Sequence, residues 1–314
     1  MFLLVEKASW DMKRTTIALR LGLVVTAFLL FASTPARADN IFVSNRDNDT
    51  IEKFDASGNG TVFASASAGP RGLAFDNSGS LYVANSDNTI ENFDSTGHGS
   101  SFVNSGLDQP GGLTFDSGGN LYAANYTTTG NTGIGYIEKF NTNAVGSVFA
   151  NTFPEVYLPV GLAFDNGGVL YVANSGNNTI EKFSASGIGS VFANLGSNSP
   201  ECLAFDTSGS LYVSIPGNNT IEKFTTNGVG SVFANAGLDE PVGLAYDSSG
   251  NLYVANTGNN TIEKFDPAGN GSVFANAGLD APTFITTQVP EPTTYGLIIL
   301  ASILLISREL RHSL

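Results

Sequence analysis

Apolar residues along this chain fall into short bursts, and each burst is bounded by Gly, Asn, Asp or Ser. The bursts are rich in Val, Ile, Tyr and Phe, which predicts β-strands. Their text repeats. Gly-Leu-Ala-Phe-Asp begins, nearly unchanged, at Gly72, Gly112, Gly161 and Gly243, and Cys202 opens a variant. Leu-Tyr-Val-Ala-Asn follows at Leu81, Leu121, Leu170, Leu211 and Leu252, with small substitutions. Thr-Ile-Glu-Lys-Phe comes next at Thr50, Thr179, Thr220 and Thr261, and Gly-Ser-Val-Phe-Ala-Asn closes the unit at Gly146, Gly189, Gly230 and Gly271. The usual period is 40 or 41 residues. Four strands in a period of about 40 predict the blade of a β-propeller.

Within the first phrase Leu162 and Phe164 share one face and Ala163 takes the other, as a period of two requires. In the third phrase Ile180 and Phe183 differ in parity, which predicts a bulge or a strong twist. Asp165-Asn166-Gly167-Gly168 and Ser175-Gly176-Asn177-Asn178 carry turn chemistry: Asp and Asn bond their own backbone, and Gly takes positive φ. Asp47-Asn48-Asp49 is the nearest thing to a calcium loop, but no EF-hand spacing is present.

Ile41 to Asn45 matches the second strand of a repeat, so the first blade lacks a first strand. Pro282 to Thr287 aligns with Pro241 to Tyr246 and supplies it. The expected fold is therefore an all-β propeller of six four-stranded blades over residues 39–287, five continuous and one shared between the two ends. Closure of this kind removes free sheet edges.

The ends read as addresses. In residues 1–38 Lys13 and Arg14 precede an apolar run from Ile17 to Phe31, and Ala36-Arg37-Ala38 has the small-x-small pattern of a signal-peptide cleavage site. Signal peptidase would cut after Ala38; Met12 offers an alternative start. In residues 288–314 Pro290-Glu291-Pro292 precedes an apolar run from Tyr295 to Ile306, then Arg308 and Arg311. As a helix this run would span about 18 Å, short of a bilayer core of about 30 Å. The tail resembles the PEP-CTERM sorting signal of Gram-negative bacteria. That resemblance implies a membrane exosortase as a processing partner, membrane contact at least before processing, and a place at the cell surface, outer membrane or extracellular matrix. Glu309 between the two arginines departs from the family's basic cluster.

Residues 39–288 hold 24 acidic and 7 basic side chains, a net charge near −17. Such a domain is a poor partner for nucleic acid. Cys202 is the only cysteine, so no intramolecular disulfide forms. The repeat text over about residues 40–287 resembles NHL-type repeats and the six-bladed gluconolactonase and virginiamycin B lyase propellers. The superfold hosts binders and enzymes alike.

In propellers of that kind the first strand of each blade lines the central channel. The residue two places before its Leu would lie near the mouth: Arg71, Gly111, Val160, Glu201, Val242 and Thr283. This ring varies while its neighbours are uniform. Arg71 and Glu201 are expected on opposite sides of the axis, not paired with each other. The third repeat is longer by eight residues, in the loop from Tyr126 to Tyr136 and in the connection through Phe153, Pro154, Glu155 and Tyr157. Tyr126, Tyr136, Phe153 and Tyr157 would then form an aromatic rim beside the mouth. Aligning Asn174 with Ser214 makes the fifth blade irregular too, with Ile215-Pro216 where other copies have Ser-Gly.

No catalytic set emerges. His98 lies in a repeat turn and His312 in the tail, so the lyase resemblance lacks its histidine. Cys202 stands where other copies have Gly and reads as a buried structural thiol. No cofactor is indicated. Glu201 is the one candidate ligand for a divalent cation, and one carboxylate does not make a metal site. The leading expectation is a non-catalytic surface or matrix protein that presents one propeller face to an extracellular glycan or a surface protein. The alternatives are a metal-dependent lactonase or hydrolase of the same fold, and a structural spacer without a ligand.

Overall fold

The computed structural model describes residues 39–127, 135–150 and 157–288. Six four-stranded antiparallel sheets form the blades of an all-β propeller. From the axis outward, blades 2 to 6 follow chain order and begin with Pro70–Phe75, Pro110–Phe115, Pro159–Phe164, Leu203–Phe205 and Pro241–Tyr246. Blade 1 places the last strand, Pro282–Gln288, inside Asn40–Asn45, so the end of the domain closes the sheet that its beginning opens. The Asp39 carboxylate adds a clasp, accepting hydrogen bonds from the Ser248 amide at 2.6 Å and hydroxyl at 3.1 Å. The one helical element among the described residues is a 3-10 turn, Pro216–Asn218. No helix among them is long and apolar enough to cross a membrane. The cleavage residues Ala36 and Ala38, the sorting residues Pro290, Glu291, Pro292, Arg308 and Arg311, and the rim residue Phe153 lie outside the described residues.

The parity break in the third strand is a bulge in its partner. In blade 4 Ile180 faces Ala193, but Glu181 faces Val191, so Phe192 is passed over. The same shift recurs in the other five blades. The extra residue turns its ring inward, where it meets Tyr171 edge-on at 5.0 Å. Tyr171 also meets Phe205 of the next blade edge-on at 5.1 Å. Tyr82, Tyr122 and Tyr212 make the same two contacts. Each edge-to-face pair adds about 0.5–1.5 kcal/mol beyond its burial. In blades 2 to 5 the bulge residue therefore backs the ring that ties one blade to the next.

At the axis the inner strands approach so closely that most blades need glycine. A Cβ on Gly161 would lie 2.5 Å from the Glu201 carbonyl oxygen, and one on Gly112 would lie 2.5 Å from that of Val160. Blades 5 and 1 break the rule with Cys202 and Phe284, both buried. The same two blades carry serine where the others have alanine, one strand further out. The Ser214 hydroxyl accepts the Cys202 amide, and the Ser44 hydroxyl accepts the Phe284 amide, each at 2.9 Å. In both blades the serine hydroxyl thus takes the amide of the residue that replaces glycine.

Strand pairing also corrects the alignment of blade 5. Asn174 pairs with Thr179, and Ile215 pairs with Thr220, so Ile215 occupies the place of Asn174 and Ser214 that of Ala173. The difference matters because this asparagine is a latch. Asn45 and Asn256 are fully buried and donate to the carbonyls of Gly278 and Gly237 in the incoming connections, at 2.8 and 2.9 Å. Before the inner strands of blades 3, 6 and 1, Gln109, Glu240 and Ala281 sit at φ near +47°. Their amides are held by the side chains of Asn88, Asn219 and Asn260. Blade 5 lacks the latch. Its inner strand shrinks to three residues, and its entry is held instead by the Ser199 hydroxyl, which donates to the Ser175 carbonyl of blade 4 at 3.0 Å.

Candidate functional site

All six residues of the variable ring line one depression at the channel mouth, of about 510 Å³. A second ring surrounds them. It comes from the repeat position after Asn45, Asn125, Asn174, Ile215 and Asn256, at or just past the end of the second strand, and Arg46, Tyr126, Ser175, Pro216 and Thr257 reach the same depression. Two repeat positions, each free to vary while the scaffold text stays fixed, thus converge on one surface.

The floor is apolar and closed. Phe284 borders both this depression and one of about 450 Å³ at the other end of the channel. With Cys202, Leu73 and Leu244 it belongs to one buried cluster that joins blades across the axis. Val160 and Val242 complete the lower wall.

The charged groups face each other. Arg71 of blade 2 and Glu201 of blade 5 lie three blades apart, and no salt bridge joins them. Arg71 donates to the Tyr126 hydroxyl at 3.2 Å and to Gln109 Oε1 at 3.5 Å, with its guanidinium 5.8 Å from the centre of the Tyr126 ring. On the far wall the Glu201 carboxylate accepts a hydrogen bond from the Ser175 hydroxyl at 3.3 Å. Burial pushes its carboxyl up to about 7, while the Ser175 bond and the charge of Arg71 pull the other way. Glu201 can therefore give or take a proton near neutral pH. The Cys202 thiol next to it is buried and pushed up to about 11, a structural group rather than a nucleophile.

The expected aromatic rim separates. Tyr126 joins Arg71 in the mouth. Tyr136 turns away, its hydroxyl donating to the Gly106 carbonyl at 3.3 Å. Tyr157 packs over Gly176 in the neighbouring blade. The donor set suits a divalent cation poorly, since Glu201 is the one carboxylate of the inner ring and a guanidinium faces it. Among the described residues no three His, Cys, Asp or Glu side chains converge. His98 is exposed in its turn, with its ring nitrogen 2.7 Å from the Thr96 hydroxyl.

Arg46, Gln109 and Ser175 were not legible as site residues from the inner ring alone. A signal for Arg46 existed: residues 39–288 contain two arginines, and both fall where the repeat text varies.

Residues 157–183 and 238–265 match the NHL repeat family. No curated protein matches the chain. Among solved structures, a chain of a nidogen/laminin complex is 20% identical, with a TM-score of 0.70 over 79% of this chain and 98% of that one. A gluconolactonase from Xanthomonas campestris is 17% identical, with a TM-score of 0.61 over 69% and 79%. A virginiamycin B lyase from Staphylococcus aureus is 16% identical, with a TM-score of 0.55 over 68% and 73%. At these identities the likeness is one of fold, and the chain is a six-bladed propeller carrying NHL repeats.

Proposed function

We propose that this NHL-repeat propeller is an exported, non-catalytic binding protein that presents its channel mouth to an extracellular glycan or surface protein. One observation carries the reading. In a scaffold of near-identical blades, the two variable repeat positions meet in a single blind depression, where a guanidinium and a carboxylate stand apart over an apolar floor. Concave sites with an apolar base and a few placed polar groups are the usual form of a ligand site. The likeness to a propeller from a nidogen/laminin complex is compatible with a binding role. Residues 1–38 would direct export. The tail with Pro290, Glu291 and Pro292 would direct sorting to the surface.

A hydrolase reading has one observation in its favour, the Glu201 carboxyl poised near neutral pH. It predicts turnover of a lactone or ester that disappears in E201Q.

The test is binding of the full-length protein to extracellular polysaccharide and surface-protein fractions of its own host. Parent binding that is lost in an R71Q/E201Q double variant supports the mouth as the site. No binding to either fraction would sink the reading.

A further inference from the structure

The five lysines and two arginines of residues 39–288 are used differently. Each of Lys53, Lys139, Lys182, Lys223 and Lys264 sits at one repeat position with its ammonium over an aromatic ring, 4.9–5.9 Å from the centroid. The lysines belong to the scaffold. Both arginines line the mouth. Arg46 is exposed and paired with Asp47 at 3.0 Å. Arg71 has no carboxylate within 4 Å among the described residues, and its two bonded partners, Tyr126 and Gln109, are neutral. Its fork is oriented before any ligand arrives, and a planar guanidinium is the group best suited to grip a carboxylate in two places.

Resting on the binding role proposed above, we infer that the mouth holds a hexuronate residue of a polysaccharide, its carboxylate on Arg71 and its hydroxyls on Glu201 and Ser175.

The wall opposite Arg71 decides against other anions. A phosphate monoester or a free phosphate ion would bring more charge toward Glu201 and toward Glu240 at the rim. The domain charge near −17 would oppose it further. A single carboxylate adds one charge, and it meets the one cation of the mouth whose ionic partner is missing. The rest of a hexuronate is a ring of hydroxyls with an apolar C–H face. Glu201 and the Ser175 hydroxyl, which also meets the Ser199 hydroxyl at 2.6 Å, supply hydrogen-bond partners for the first, and the Thr257 hydroxyl, which donates to the Pro282 carbonyl at 2.6 Å, keeps its oxygen as an acceptor. The Tyr126 ring beside Arg71 supplies a flat surface for the second. A depression of about 510 Å³ with a closed floor has room for a small ligand and admits no through-passing chain. The residue held would be a chain end or a side branch. An aspartate side chain on a protein would satisfy Arg71 but leave the hydroxyl-rich wall unused.

The test measures binding of D-glucuronate, D-glucose, inorganic phosphate and N-acetyl-aspartamide to the full-length protein in mild detergent, by calorimetry or NMR. Retention of host polysaccharide is followed in parallel. Glucuronate should bind about ten-fold tighter than glucose or phosphate, and R71Q should lose about ten-fold or more. R71K, which keeps the charge but not the fork, should fall between, and melting temperatures report whether each variant is folded. Glucose binding as well as glucuronate would overturn the inference, as would a folded R71Q that binds unchanged. N-acetyl-aspartamide binding as tightly as glucuronate would overturn the sugar assignment and point to a protein carboxylate. Polysaccharide that is retained but not displaced by glucuronate would reject this site while leaving the binding role standing. A polysaccharide that is not retained, while glucuronate binds through Arg71, would reject the polymer as its source.

Discussion

The Cys202 amide donates to the Ser214 hydroxyl at 2.9 Å, and that hydroxyl donates onward to the Val242 carbonyl at 2.6 Å. One serine thus joins the inner strand of its own blade to that of the next. Ser44 likewise accepts the Phe284 amide at 2.9 Å, but it donates within its own blade, to the Phe284 carbonyl at 3.3 Å. Two of the six blades carry this pair of changes together, and nothing in their local text announces the coupling.

Ser214→Ala should leave the Cys202 amide and the Val242 carbonyl without this partner in a buried site. The expected loss is about 1–3 kcal/mol, read as a lower urea midpoint with an unchanged slope. Ser44→Ala should behave alike. Ala173→Ser in a blade that keeps its glycine has no such bond to make and should not stabilise.

Gly161→Ala places a Cβ 2.5 Å from the Glu201 carbonyl oxygen. Backbone opposes backbone there, so neither side can yield cheaply, and a loss of about 2 kcal/mol or more is expected. The same displacement moves Glu201. The variant should therefore lose ligand affinity beyond what its lower melting temperature explains.

Stability should rise as the solution is made mildly acidic. The Glu201 carboxyl is raised from 4.5 to about 7 in the folded state, so the fold holds its proton more tightly than the unfolded chain does. Its stabilising contribution is full below about 4.5 and is lost as pH rises through about 7. Burial raises Glu52, Glu138, Glu222 and Glu263 in the same direction. Asp116 and Asp206 are lowered, and their contribution is lost below the ordinary carboxylate range. Thermal melts from pH 8 to pH 5 should show an increasing melting temperature. E201Q should melt higher than the parent at the alkaline end and show a flatter slope. A melting temperature that falls steadily over that interval would contradict the assignment.

Tyr126→Ala should weaken ligand binding at the mouth, whereas Tyr136→Ala and Tyr157→Ala should not. The three tyrosines are close in sequence but face different surroundings: Arg71, the Gly106 carbonyl and Gly176. Equal losses from all three would restore the idea of one aromatic rim.

Much of the fold was legible because each blade repeats one text, and period, turn residues and the missing first strand fix blade number and closure. The inner ring was legible for the same reason, since variation stands out against uniform neighbours. The second ring was not recognised as one position: Tyr126 was read as part of an aromatic rim, Ser175 as a turn residue and Pro216 as an irregularity of one blade, while Arg46 and Thr257 drew no reading. The place of Ile215 was misread although the shared Leu-Tyr-Val at Leu170 and Leu211 already sets Ala173 against Ser214 and Asn174 against Ile215, as strand pairing shows. The partners of Arg71 were not legible at all. Gln109 precedes the next inner strand and Tyr126 ends a second strand, and their meeting with Arg71 depends on how adjacent blades are angled.

The clasp of blade 1 also orders events in time. Its innermost strand, Pro282–Gln288, is the last part of the domain to be synthesised. Until it arrives, Ile41 to Asn45 has an open edge and Phe42 lacks its complete surroundings. The ring cannot close on a growing chain. If the chain crosses a membrane N-terminus first, it does so as an unfinished circle, and folding is completed on the side where residue 288 emerges.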